Sequence, residues 1–135
     1  MSHRGFGLLA LPVMAVLLAG CGGGSSTTSG GGSPSPAASL PAGAKEVDVV
    51  ADPNTVGAYQ PGSVNVKVGD TVGWLWKDQA NPHTVTSDDG TTFNEDNGGS
   101  GFNAGHTFTF TFKTAGTYKY HCSLHSGMSG TIVVS

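Results

Sequence analysis

The sequence predicts an all-β domain, a Greek-key β-sandwich of seven to eight short strands. Apolar residues recur with period two between polar neighbours, turn residues punctuate the runs, and no ten-residue stretch of the domain has helical periodicity.

The strand signals can be taken in chain order. Val64, Val66 and Val68 alternate with polar residues after the Pro61-Gly62 turn, and Val72, Trp74 and Trp76 alternate after Gly69-Asp70. Ser87 to Gly105 has little apolar content and several glycines and acidic residues, and reads as a mobile connection around a short element near Thr92 to Asn94. Phe108, Phe110 and Phe112 then alternate with Thr107, Thr109 and Thr111, which predicts a strand with a phenylalanine core face. After Ala115-Gly116, Tyr118 and Tyr120 begin another strand, and the β-branched run Thr131 to Val134 closes the chain. Trp74 and Trp76 fall at core positions and read as packing.

The strands occupy only part of the 135 residues. Residues 1–20 carry Arg4, an apolar run from Phe6 to Leu18 interrupted by Pro12, and small residues before Cys21, the pattern of an export signal. The run is too short for an ordinary membrane span, which needs about 20 residues. Its ending, Leu18-Ala19-Gly20-Cys21, resembles the lipobox of bacterial lipoproteins, which implies cleavage before Cys21 and acylation of that cysteine. Residues 21–44 are rich in Gly, Ser, Thr and Pro and read as a flexible tether with a root-mean-square span of about 25 Å. Residues 45–135 remain as one modest domain.

Six basic residues against nine acidic ones, with net charge -3, exclude a phosphate-binding basic patch and so argue against nucleic acid. Once the export signal is gone, Met128 is the only methionine and Cys122 the only thiol beyond the anchor. Both lie in Cys122-Ser-Leu-His125-Ser-Gly-Met128, and His83 stands upstream in Pro82-His83-Thr84-Val85. One thiolate, two imidazoles and a weak thioether are the donor set that serves copper cycling between Cu(I) and Cu(II). Ligands spaced three residues apart in a turn between strands, with a fourth from a distant segment, suit a single ion.

The segment from Gly116 to Val134 closely resembles the C-terminal copper loop of cupredoxins in the plastocyanin group. With two residues between His125 and Met128 it is most similar to the amicyanins, and the upstream Pro82-His83-Thr84-Val85 resembles that group's other histidine motif. The resemblance implies a cupredoxin-like fold and single-electron transfer through one type 1 copper. His83, Cys122 and His125 are then the strong ligands and Met128 the weak axial one.

Two residues depart from the group's pattern. Thr84 replaces the usual Asn that ties the two ligand loops together, and Leu124 replaces a Pro. Leu124 has a backbone N–H that proline lacks; aimed at the Cys122 sulfur, it raises the reduction potential.

His121 neighbours Cys122 and points to the opposite face of its strand. His106 opens the phenylalanine strand, and both histidines read as non-ligands. The acidic residues around Asp88 and Glu95 read as a solvated loop.

The leading expectation is a membrane-tethered, monomeric electron carrier, exported and anchored at the outer face of the cytoplasmic membrane or facing the periplasm. Its implied partners are a redox donor and acceptor such as a c-type cytochrome or a dehydrogenase. Copper carriage without redox turnover is the competing binding function. An enzyme is disfavoured because the four ligands leave no open position for substrate and no oxyanion-type glycine motif accompanies Cys122 and His125.

Overall fold

The computed structural model describes residues 37–135, so residues 1–20, read above as an export signal, Cys21 and most of the stretch read as a tether lie outside the described residues. The described chain is all-β, without a helix. Its strands are β1 Lys45–Asp52, β2 Val56–Gln60, β3 Ser63–Val66, β4 Thr71–Trp76, β5 Val85–Ser87, β6 Asn94–Glu95, β7 Thr107–Thr111, β8 Gly116–His121 and β9 Ser129–Val134. They form two sheets, one in the order β2-β1-β4-β7 and the other β3-β9-β8-β5-β6. The β1–β4 and β3–β9 pairs are parallel and the rest antiparallel.

Period two sorts the side chains as expected for two facing sheets. Val47 and Val49 of β1, Val72, Trp74 and Trp76 of β4, Tyr120 of β8, and Ile132 and Val134 of β9 all point into the core. The alternation that begins at Val64 and Val66 stops there. Val68 lies beyond the end of β3 and is 49 % exposed, because the chain has already turned towards Gly69. Of the phenylalanine face, Phe112 is fully buried while Phe108 and Phe110 are partly covered.

The segment from Ser87 to Gly105 is tied down by its own acidic residues. Asp89 accepts from the Thr91 and Thr92 amides and the Ser87 hydroxyl, and Asp96 accepts from the Gly98 amide. Phe93 enters the core from this stretch, its ring centroid 5.3–6.3 Å from those of Trp74, Phe108, Phe110, Phe112 and Tyr120. Packing also extends N-terminal to Lys45. The Leu40 side chain lies over Gly73 of β4, where a Cβ would come within 2.6 Å of it.

The strand directions define two poles. At one pole meet the β1–β2 turn, the loop after β4 and the β8–β9 loop. Residues 41–44 enter the domain at the other, where Pro41 to Ala44 border Gly69, Asp70 and Thr111.

Candidate metal centre

His83, Cys122 and His125 come together at the pole of the three loops, each offering one donor atom to a common centre. His83 lies between β4 and β5, paired to Phe102 by two backbone hydrogen bonds of 3.0 and 2.9 Å. Trp76 Nε1–H donates to the His83 carbonyl at 2.8 Å, so a core residue of β4 also fixes this loop. Cys122 follows β8, and its N–H donates to the Met128 carbonyl at 3.0 Å; the Met128 N–H donates to the His125 carbonyl at 3.3 Å. These bonds close the loop and bring the buried Met128 next to Cys122 at its neck.

The separations are 3.1 Å between the two Nδ1 atoms, 3.6 Å from Cys122 Sγ to His125 Nδ1 and 3.9 Å from Sγ to His83 Nδ1. Metal–nitrogen and metal–sulfur bonds of about 2.0–2.3 Å in a trigonal plane put ligand atoms roughly 3.5–3.8 Å apart. The triangle therefore fits one small ion, and its one-thiolate, two-imidazole composition fits a type 1 copper site.

The orientation of His83 is determined from behind. Its Nε2 lies 2.7 Å from Asp78 Oδ2, and the two side chains are 0 % and 1 % exposed. An ionised carboxylate only accepts, so the ring proton sits on Nε2 and the Nδ1 lone pair faces Cys122 and His125. Asp78 was not legible as a site residue, since an Asp five positions before a His has no motif to mark it. Gly57 was equally silent. A Cβ there would lie 2.2 Å from His83 Cε1, so the imidazole occupies the space a side chain would need.

The electrostatics favour a thiolate. Burial pushes the Cys122 thiol up, but His83, the Thr84 and Leu124 amides and His125 together outweigh it and bring the thiol down to about 6. The Thr84 N–H donates to Sγ at 3.3 Å. The Leu124 amide acts in the same direction on the thiol. Burial lowers the His83 pKa, but Cys122 and Asp78 reverse the balance and leave it raised. For Asp78, burial pushes the carboxyl up, yet His83 and the Ala80 and Asn81 donors hold it at about 2.

Thr84 does tie the ligand loops together despite its short side chain. Its hydroxyl accepts from the Ser123 N–H at 2.8 Å and lies 3.0 Å from Ser123 Oγ, while Tyr59 O–H donates to its carbonyl at 2.5 Å. Around His125, a shallow depression of about 280 Å³ is lined by Asn54, Thr55, Val56, Leu124 and Ser126. Val56 and Leu124 are among the few exposed large apolar side chains of the described residues.

The remaining histidines stay outside the cluster. His121 pairs with Asp88 at 2.6 Å on the surface. His106 stacks on Phe102 at 3.6 Å, nearly parallel, and pairs with Glu95 at 2.8 Å.

Residues 45–135 match the family described as copper binding proteins, plastocyanin/azurin family. The chain is 36 % identical over 102 residues to amicyanin of Paracoccus denitrificans, covering 76 % of this chain and 73 % of that one. It is 37 % identical over 90 residues to plastocyanin of Scenedesmus fuscus, covering 56 % and 85 %. Among solved structures, a purple cupredoxin from Nitrosopumilus maritimus superposes with a TM-score of 0.56 at 30 % identity, over 67 % of this chain and 99 % of that one. A reduced amicyanin variant gives 0.59 at 30 % identity, over 73 % and 89 %.

Proposed function

The chain belongs to the plastocyanin/azurin family of copper-binding proteins and is a type 1 copper electron-transfer protein; on that premise we propose that His83, Cys122 and His125 would hold the ion strongly, with the Met128 thioether as a weaker fourth ligand. The carrying observation is the triangle of donor atoms 3.1–3.9 Å apart, drawn from two distant segments. Bound there, copper supplies a one-electron couple between Cu(II) and Cu(I).

The protein's share of the work is to hold the donors still. His83 is clamped between Asp78, Gly57 and the Phe102 bridge, and the short β8–β9 loop holds Cys122, His125 and Met128 by backbone bonds. A donor set fixed from behind moves little when one electron is gained or lost. The Thr84 and Leu124 N–H groups draw density from the sulfur and favour the reduced state. His125, rimmed by Val56 and Leu124, is the point of contact for a redox partner, and an apolar rim lets water be expelled on docking.

Export and anchoring complete the proposal. Cys21, acylated behind a cleaved signal, tethers the protein at the outer face of the cytoplasmic membrane or facing the periplasm. The tether joins the domain at the pole opposite His125, which leaves that pole open to a c-type cytochrome or a dehydrogenase.

Copper titration of the protein tests the central reading. An intense visible band that disappears on reduction, returns on oxidation and is lost in Cys122→Ser is expected. A colourless protein holding only Cu(I) would replace electron transfer with copper carriage. For the anchor, detergent-phase partition of the full chain should be abolished by Cys21→Ser.

A further inference from the structure

Asp78 is the only buried carboxylate among the described residues, and it has no lysine or arginine partner there. Its Oδ1 accepts from the Ala80 N–H at 2.8 Å and the Asn81 N–H at 3.2 Å. Oδ2 accepts from Asn81 Nδ2 at 3.3 Å and from His83 Nε2 at 2.7 Å. The backbone of Asp78 is itself fixed, its N–H donating to the Val49 carbonyl of β1 and its carbonyl accepting from the Ala104 N–H. The carboxylate is thus a rigid reference point to which the imidazole is attached.

We propose that Asp78 is a positioning residue of the metal centre: it holds His83 in the tautomer whose Nδ1 lone pair faces Cys122 and His125, and its buried charge biases the site towards Cu(II). The proposal rests on the copper reading given above.

Burying a carboxylate without a cation is costly, and loop capping alone would be served by an asparagine. What a neutral side chain lacks is a second acceptor oxygen and the charge. With one thiolate as the other anion, Asp78 brings an oxidised site to neutrality and leaves a reduced site with one negative charge. The oxidised state is favoured by that difference. A carboxylate on Nε2–H also makes the opposite nitrogen a better donor. Asp78 therefore opposes the Thr84 and Leu124 amides, which draw density from the sulfur.

Two measurements test this. In the metal-free protein at alkaline pH, where the His83 ring is neutral despite its raised pKa, nitrogen-15 NMR should find the proton on Nε2; a proton on Nδ1 of the neutral ring would overturn the positioning role without any variant. In Asp78→Asn the single oxygen stays with the loop amides and the NH₂ group faces Nε2, so the proton should move to Nδ1. For the copper-loaded protein, the ratio of Cu(I) to Cu(II) affinity should rise about tenfold or more in Asp78→Asn, read as a higher reduction potential. An unchanged ratio in a folded variant would overturn the charge role. Asp78→Glu, which keeps the charge, should stay nearer the original ratio than Asn; equal shifts in both variants would also overturn it. If the unaltered protein forms no redox-active coloured complex, the copper reading fails, while the metal-free tautomer still decides whether Asp78 positions His83.

Discussion

At the scale of single residues, the centre depends on side chains that touch no ligand as much as on those that converge. Gly57 is the sharpest case. Its missing side chain is the space in which the His83 ring lies, and that ring cannot retreat because Asp78 and the Phe102 bridge hold it from other sides. Gly57→Ala should cost about 1–3 kcal/mol of metal-free stability through overpacking. It should also weaken Cu(II) binding by about tenfold or more, as measured by chemical unfolding and competitive titration. Leu124 makes the opposite kind of contribution, through its backbone. Leu124→Pro removes a backbone N–H that lowers the Cys122 thiol pKa, from a residue whose side chain is 39 % exposed and adds little to the core. Voltammetry should give a lower potential for that variant, and an unchanged or higher one would remove the amide from the account.

At the scale of elements, the β5–β6 region shows how a segment poor in pattern can still be structural. Phe93 is the one large apolar residue between Thr91 and Glu95, so no period marks it, yet it fills the space between Trp74 and the phenylalanine face. Its acidic neighbours serve as turn acceptors, which leaves fewer free carboxylates for a partner than the composition suggested. Phe93→Ala should lower stability by about 3–5 kcal/mol in urea unfolding. The copper band should keep its position, because the rings that pack on Phe93 are those of Trp74, Phe108, Phe110, Phe112 and Tyr120, none of them a donor. The strands around Val64, Trp74, Phe110, Tyr120 and Ile132 were readable, whereas β1 and β2 were not assigned despite their eight and five residues, and neither was the three-residue β5. β6 has only two residues and exists because Val85 and Thr86 offer it a partner edge.

Across the whole molecule, pH links the site to the fold. The Asp78 carboxyl is held at about 2 against an ordinary value near 3.8, so it binds fewer protons folded than unfolded between those values. Stability from this group is present above about pH 4 and is lost as the pH falls towards 2, on the order of 2 kcal/mol. The metal-free protein should therefore lose thermal stability in that window, with a shallower slope in Asp78→Asn; equal slopes would show that the carboxyl is not held low. The sequence by itself determined the all-β class and the strands around Val64, Trp74, Phe110, Tyr120 and Ile132, and it supplied the proposed donor set, because period two and residue chemistry are local properties that survive without coordinates. His83, Cys122, His125 and Met128 could be named as the proposed ligands because each is a chemically distinctive residue in a short, spaced motif. Only the tertiary structure decided what stands behind them. Asp78, Gly57 and the Thr84–Ser123 bond act through distances between segments far apart in the chain, and neither a glycine's empty space nor an acceptor's direction is written in its neighbours. The donors are a matter of composition and spacing, whereas their orientation and the field around them come from packing.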